Sequence, residues 1–488
     1  MTREIELKLE LDPDNLPLLR QEPFLANAES RSAHQVTVYY DTPETSLKKH
    51  GFTLRVRNVG DHFIQTLKSV TGNVGLLSRD EIECEVSSIK PDLSVLKEHP
   101  LHALIGKNEA HRLQPQIRCD ITRTSWEFDR SNGRMRLDLD DGTISAGERC
   151  QEFAELELEL IDGAPESLIV AARRLSDHVP LRLGVLTKAE RGFLLSKGAF
   201  GRISKAGEVC VHQGMTVAEA FELIVHDCLK HYRLNEGLVL RYCKAGALHQ
   251  TRVAMRRLRS AFSLFRPAIE DVEYQHLRHE LRWFTSQLGE ARNIDVYLER
   301  DLDAKERERL TRKRIEAYSD VADAMNSHKF RRLLLDLVGW TALGAWRSGK
   351  LAMRPLASLA TQRLDKLWQS VTAVGRDIAK LDESTRHGLR IQVKKLRYAI
   401  EFLGGLYPHS KAAQDRFRNG VEELQEALGK LNDLATAKTL GTKPADDEWL
   451  IGSFEERRYL IAAEKAHSEI LRVGPFWRPG TKPSARHS

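Results

Sequence analysis

Cysteine is scarce in this chain of 488 residues, and what there is does not pair. The six (Cys84, Cys119, Cys150, Cys210, Cys228 and Cys243) form no C-x-x-C dyad and none stands at zinc-site spacing from a histidine. Neither a disulfide scaffold nor a structural zinc is indicated, and reduced thiols in a cytoplasmic protein are expected. No apolar run reaches the roughly 20 residues that cross a bilayer, and Met1 leads straight into a strand pattern with no cleavable leader. A membrane role is therefore not expected. Aromatic residues make up only 7% of the chain, and none interleaves the cationic stretches described below as base stacking would require. Nucleic acid is not expected as a partner.

What the chain has in quantity is charge, 30% against 41% apolar residues. The net +6 hides an asymmetry. Residues 1–200 hold 26 Lys and Arg against 32 Asp and Glu, net −6, which leaves 49 against 37, net +12, for the rest. Such a length implies roughly two to four domains, and the asymmetry implies two kinds of ligand chemistry, with the basic half facing a polyanion.

In the acidic part, Glu4-Ile5-Glu6-Leu7-Lys8-Leu9 alternates charged and apolar residues. Successive side chains of a strand point to opposite faces, so Glu4, Glu6 and Lys8 share one. The pattern returns in Leu54-Arg55-Val56-Arg57, Glu81-Ile82-Glu83, Leu137-Asp138-Leu139-Asp140 and Glu155-Leu156-Glu157-Leu158-Glu159. Like charges two residues apart repel on one face, so such a sheet needs a ligand to neutralise it. Carboxylates can hold hard divalent cations, and Arg and Lys can hold phosphate oxygens. A closed antiparallel barrel with a charged lumen would gather all these faces around one ligand, with interspersed helices covering its apolar outside.

This ordered set, together with Tyr39-Tyr40-Asp41-Thr42, Thr66-Leu67-Lys68, Arg79-x-Glu81-x-Glu83 and Lys188-x-x-Arg191, resembles the CYTH superfamily, the triphosphate tunnel metalloenzymes, over residues 1 to about 200. The resemblance implies hydrolysis of a triphosphate in a tunnel. Lys8, Arg55, Arg57, Lys68, Arg123, Lys188 and Arg191 would grip phosphates. Glu4, Glu6, Asp138, Asp140, Glu155 and Glu157 would hold Mg2+ or Mn2+, and Glu4, Glu6, Lys8, Arg57 and Lys68 would carry the catalysis. Arg123 is preferred to Arg118 because Arg123-Thr124-Ser125-Trp126 fits the family's Arg-x-x-aromatic strand. Glu159 is read as a surface residue, and Arg136 stands where relatives often have an acid.

Gly recurs and periodicity lapses over residues 201–214, which is read as a linker. Beyond it strand signals vanish. On a helix, His249, Arg252, Arg256 and Arg259 form a single stripe, with no Asp or Glu between Ala247 and Ile269. The spacing recurs 138 residues later as His387, Arg390, Lys394 and Arg397, so a helical unit is duplicated. Both copies of H-x-x-R-x-x-x-[RK]-[RK]-x-R resemble the CHAD domain, which implies polyphosphate binding by these eight residues. The basic, Pro- and Gly-containing end from residue 474 reads as disordered.

The expected fold class is α+β: an N-terminal antiparallel β-barrel tunnel with covering helices (1–200), a linker (201–214), an all-α domain of two duplicated helical units (215–473), and a disordered basic tail (474–488). The expected activity is metal-dependent hydrolysis of inorganic triphosphate with a polyphosphate-binding companion domain, in the cytoplasm and in association with polyphosphate granules. The alternatives are a polyphosphate-binding scaffold with little catalysis, or a CYTH enzyme acting on nucleoside or thiamine triphosphate.

Overall fold

The computed structural model of the chain describes residues 4–26, 28–69, 76–79, 81–96, 112–130, 133–375, 377–439 and 446–478. They form two compact units. The first comprises Met1–Gly207, Val225–Arg256 and Val272–Gly344; the second comprises Glu208–Ile224, Arg257–Asp271 and Ala345–Ser488. The first boundary, Gly207/Glu208, falls within the expected linker at 201–214, while residues 225–256 and 272–344 belong to the first unit; residues 201–214 carry no helix or strand and bury Val209 and Val211.

The first unit is built on ten antiparallel strands: β1 (Glu4–Leu11), β2 (Ser30–Asp41), β3 (Phe52–Val59), β4 (His62–Ser69), β5 (Leu76–Arg79), β6 (Glu81–Val86), β7 (Gln114–Arg130), β8 (Gly133–Ala146), β9 (Arg149–Gly163) and β10 (Arg182–Leu183). The hydrogen-bonded path runs β10-β1-β9-β8-β7-β2-β3-β4-β6, with β5 also on β1. Among the described residues the ladder does not close into a full ring. Its ends are nevertheless brought together by the chain, because Arg79 pairs with Glu4 on β1 and Glu81, two residues on, pairs with Lys68 on β4. Two residues span at most about 7 Å, so the sheet must curl and enclose its inner face.

The expected alternation is visible in burial on both sides. On the outer face Leu7, Leu9, Leu54, Val56, Leu137, Leu139, Leu156 and Leu158 are buried. Four short helices, α1 (Leu16–Arg20), α2 (Pro23–Ala26), α3 (Ser46–Lys49) and α4 (Glu166–His178), lie along the chain between or after the strands. The apolar stripe of α4, Leu168, Ala171, Ala172 and Leu175, is at most 3% exposed and packs on β9 and β1. A further helix, α5 (Lys188–Ser196), packs on β7, β8 and β9 and shares a core with Tyr39, Ile117, Cys119 and Phe153. The described part of the stretch after Pro91, Leu93–Leu96, is a single 3-10 turn.

From residue 217 the chain is helical: α6 (Val217–Tyr242), α7 (Ala245–Ile269), α8 (Val272–Gln287), α9 (Gly289–Leu298), α10 (Ala304–Asn326), α11 (His328–Leu343), α12 (Leu356–Thr372), α13 (Glu383–Leu403), α14 (Lys411–Thr439) and α15 (Asp446–Val473). Within the first unit, Tyr232, Phe284 and Phe330 form an aromatic core. Within the second, Phe417 is ringed by Trp368, Phe476 and Trp477. That cluster corrects the reading of a disordered end at its first residues. Phe476 and Trp477 are 6% and 2% exposed, and the Trp477 indole donates to Asp365 at 2.9 Å. Burying two large aromatic rings outweighs the solubility of the neighbouring Arg and Pro. Residues 479–488 of that expected tail lie outside the described residues.

Candidate active site

The inner face of the curled sheet encloses about 1050 Å³ of space open to solvent, lined among others by Glu6, Lys8, Arg55, Arg57, Lys68, Arg123, Asp138, Glu157 and Lys188. These were all expected from the sequence. Asp140 and Glu155 join from directly behind, completely buried. The side chain of Glu4 lies outside the described residues.

Strand pairing places the charges. Lys8 on β1 is opposite Glu157 on β9, and Glu157 is opposite Asp138 on β8, so charged residues of three strands stand in one row. Lys8 Nζ donates to Glu155 Oε1 at 2.9 Å and Glu157 Oε1 at 2.6 Å. Lys188, the first residue of α5, reaches the same group, with Nζ 2.5 Å from Glu155 Oε1, 2.8 Å from Asp140 Oδ2 and 3.1 Å from Glu157 Oε1. Arg123 grips Asp140 bidentately through Nε and Nη2 at 2.6 and 2.7 Å, and also donates to Asp138 at 2.8 Å and Glu157 at 2.7 Å.

Burial opposes ionisation of every member of this network, yet the charges support one another. Burial pushes the carboxyls of Glu157 and Asp140 up, but Lys188 above all, with Lys8 and Arg123 for Glu157 and Arg123 for Asp140, holds them below their ordinary range. Burial likewise opposes the Lys8 and Lys188 ammoniums, and the facing carboxylates more than offset it, leaving both raised. Arg57 is different. Its guanidinium is pushed down to about 10, first by neighbouring Arg55, then by burial and by Arg123. Like charges crowded in this way are stabilised by an arriving anion.

Among the side chains facing the cavity that sequence reasoning had not assigned to it are three charged ones, Glu83, Arg136 and Glu159. Arg136 pairs closely with Glu159 and stands 3.6 Å from Asp138. Both Arg136 and Glu159 fall on the alternation of β8 and β9, two residues from Asp138 and Glu157, and that spacing is the signal that could have found them. Arg191 goes elsewhere: it lies one turn beyond Lys188 but donates to Glu10 at 2.8 Å and stacks between Phe153 and Phe200. Among the described residues, the seven cations Lys8, Arg55, Arg57, Lys68, Arg123, Arg136 and Lys188 meet the seven carboxylates Glu6, Glu83, Asp138, Asp140, Glu155, Glu157 and Glu159. The site is close to neutral.

The donor set suits a hard divalent cation. Oxygens of Asp140, Glu155 and Glu157 lie within 4.8 Å of one another, and Glu155 Oε2 and Asp138 Oδ1 are buried with no hydrogen-bond partner. Oxygen-only donors of this kind select Mg2+ or Mn2+ over softer metals.

In the helical region, the stripe residues His249, Arg252 and Arg256 belong to the first unit, and Arg259, exposed, to the second. Arg252 donates to the Leu288 carbonyl at 2.7 Å, and His249 is pushed below its ordinary pKa by burial and by Arg292, Arg256 and Arg252. The second stripe, His387, Arg390, Lys394 and Arg397, lies on α13. There His387 Nδ1 is 2.8 Å from Asn432 Oδ1, and Arg397 is 3.8 Å from Glu422. The acids missing from the local sequence are thus supplied in part by another helix.

A curled antiparallel sheet with inward Arg, Lys and carboxylate rows, followed by helices bearing two matched basic stripes, defines a two-part protein of the tunnel type. The chain carries a CYTH domain, matched over residues 2–193, followed by a CHAD domain, matched over residues 223–441. It is 29% identical over 209 residues to an inorganic triphosphatase of Haemophilus influenzae, a match covering 41% of this chain and 57% of that protein. Among solved structures it is similar to the CHAD domain from the plant Ricinus communis, at 26% identity and a TM-score of 0.45 over 55% of this chain and 97% of that one. It is also similar to the Hippeastrum protein HpAC1, described as having a dominant triphosphatase activity, at 19% identity and a TM-score of 0.30 over 40% and 96%.

Proposed function

We propose that the chain is a metal-dependent inorganic triphosphatase that cleaves tripolyphosphate to diphosphate and phosphate, with its helical region binding polyphosphate. The observation that carries the reading is the neutral cavity in which cations of β1, β3, β4, β7 and α5 face buried carboxylates. A triphosphate brought there alone would leave a large uncompensated negative charge, so it must arrive with divalent cations.

Asp138, Asp140, Glu155 and Glu157, with Glu4 and Glu6 on the neighbouring strand, would hold Mg2+ or Mn2+. When bound, the ion polarises phosphoryl oxygens and acidifies the attacking water. Arg55, Arg57 and Lys68 grip the phosphates from one wall, and Lys8, Arg123 and Lys188 from the other. Fixing a chain of phosphates between two cationic walls pre-pays the entropy of alignment for in-line attack. Spreading charge in the transition state is met by donors that need not reorganise. The basic stripes of α7 and α13 support polyphosphate as a second ligand, since counterion release favours any linear polyanion there.

The test is phosphate release from tripolyphosphate, ATP, thiamine triphosphate and long-chain polyphosphate, each with Mg2+, Mn2+ or chelator. Metal-dependent release with tripolyphosphate as the best substrate is expected. Faster turnover of ATP or thiamine triphosphate would move the assignment to a nucleotide or thiamine enzyme, and no release from any of them would leave a binding protein.

A further inference from the structure

Resting on that reading, we propose that Lys230 and Arg233 of α6, in the helical part of the chain, are positioning residues of the tunnel: they hold Lys188 and Lys8 in place by gripping the backbone segments that carry them. The cavity-facing end of α5 begins at Thr187, whose N–H and hydroxyl both donate to Glu190 Oε2, at 2.9 and 3.1 Å. The other oxygen of Glu190 accepts from Lys230 Nζ at 2.7 Å. Lys230 thus anchors the capping box whose N-cap, Thr187, is followed by Lys188, the ammonium that reaches Asp140, Glu155 and Glu157.

Arg233 does the same for Lys8, on the same wall. Its Nε donates to the Leu183 carbonyl at 2.7 Å, and its Nη2 donates to Glu10 Oε2 at 3.0 Å. Glu10 Oε1 takes Arg191, so one carboxylate on β1, two residues from Lys8, ties α5 to α6. The segment after Leu183 lies directly against Lys8: Gly184 N–H donates to the Lys8 carbonyl at 3.0 Å, and a Cβ at Gly184 would come within 2.4 Å of Lys8 Cγ. Arg233 is also paired with buried Glu236, and its side chain is only 8% exposed. All of these residues belong to the first compact unit. The proposal explains why Arg191 is withheld from the cavity, and it implies that a fragment ending at residue 200 lacks part of what orients its own lysines.

The test uses the full chain with Lys230→Ala, Lys230→Arg and Arg233→Ala. Hydrogen exchange is read at residues 183–192 against α11 as an internal reference, and phosphate release from tripolyphosphate is read with Mg2+. In Lys230→Ala the amides of Glu190 and Arg191 should exchange about tenfold faster with α11 unchanged. Removing an outer-shell partner should lower kcat/KM by about 10- to 100-fold, mainly through KM. Lys230→Arg should restore both. In a Lys188→Ala background Lys230→Ala should add no more than about twofold, because it acts through Lys188. Unchanged exchange at 183–192 in both Lys230→Ala and Arg233→Ala, or full additivity with Lys188→Ala, overturns the proposal. If the wild type releases no phosphate, the functional reading falls, while the exchange measurement still decides whether α6 holds these segments.

Discussion

Replacing Lys188 by Ala removes an ammonium shared by buried Glu155 and Asp140 and part-buried Glu157, with Nζ to oxygen distances of 2.5, 2.8 and 3.1 Å. Breaking a buried ion pair by deleting one partner costs about 3–5 kcal/mol. The lower end applies here, since Glu155 and Glu157 keep Lys8 and Asp140 keeps its two bonds from Arg123. A loss of about 3 kcal/mol at about 2 °C per kcal/mol, the small end of the range for large domains, is a fall in Tm of about 6 °C. The carboxylates vacated by Lys188 are those that suit a divalent cation, so Mg2+ should stabilise the variant more than the wild type. At a concentration about 100 times its Kd, a bound ion returns about 2.7 kcal/mol, nearly the whole loss. The assay is thermal unfolding of both proteins in chelator and in a Mg2+ series. A Tm deficit that Mg2+ leaves untouched would refute the placement of the cation on Asp140, Glu155 and Glu157.

Glu6→Gln and Glu4→Gln should each lower metal-dependent phosphate release about 100-fold or more at unchanged Tm, since each loses a candidate ligand at constant size; full activity in both would remove β1 from the metal site. Glu157 and Asp140 are held below their ordinary pKa values of 4.5 and 3.8, so the stability they contribute is complete above those values and is lost as pH falls through the folded ones. The urea midpoint should therefore drop steeply below about pH 4, and a midpoint that rose there would contradict the ion-pair network. Reversing Arg252, Arg256, Arg390 and Arg397 to Glu should abolish long-chain polyphosphate binding and flatten its salt dependence, by a slope of about 3 for four lost contacts; unchanged affinity at low salt on folded protein would leave the stripes as solvated faces. Because His249 is pushed below its ordinary pKa of 6.5, any strengthening of that binding by acid should begin below that pH.

The barrel strands were legible because burial on both faces of a curled sheet stamps a strict period of two on β1, β3, β8 and β9, and because charge on the inner face is too costly to occur without purpose. Lys8, Arg55, Arg57, Asp138 and Glu157 could therefore be set on charged faces from alternation, whereas Lys68, Arg123 and Lys188 came only with the resemblance to the CYTH family. What alternation cannot show is who pairs with whom across long separations. Glu10 lies 181 residues from Arg191 and 223 from Arg233, so nothing local marked Arg191 as withdrawn from the cavity. The same blindness affected the helical stripes, where Arg397, in a stretch without acids from His387 to Ile400, meets Glu422 from another helix. At the C-terminal end composition misled, because Pro, Gly and Arg around Phe476 and Trp477 hid two rings that find a shared pocket.

The pairing in the cavity carries one more consequence for how ligands enter. Asp138, Asp140, Glu155 and Glu157 each already accept a hydrogen bond from Lys8, Lys188 or Arg123, so a cation that drew these carboxylates to itself would weaken their hold on a buried ammonium or guanidinium. A triphosphate binding by itself faces the converse cost against the carboxylates. On the proposed function the two together would exchange partners, the ammoniums turning to phosphate oxygens while the carboxylates held the metal, so that no charge would be left unpaired. The binding free energies must then be positively coupled, and linkage makes the coupling the same in both directions. A factor of about 5 to 150 is the usual range for such coupling. Calorimetric titration of a non-hydrolysable triphosphate analogue into the wild-type chain, with and without Mn2+ and corrected for the metal–phosphate equilibrium in solution, should show tighter binding with the metal present. Equal affinities under the two conditions would mean that the lysines do not change partners, and that the metal and the phosphates are held by separate groups.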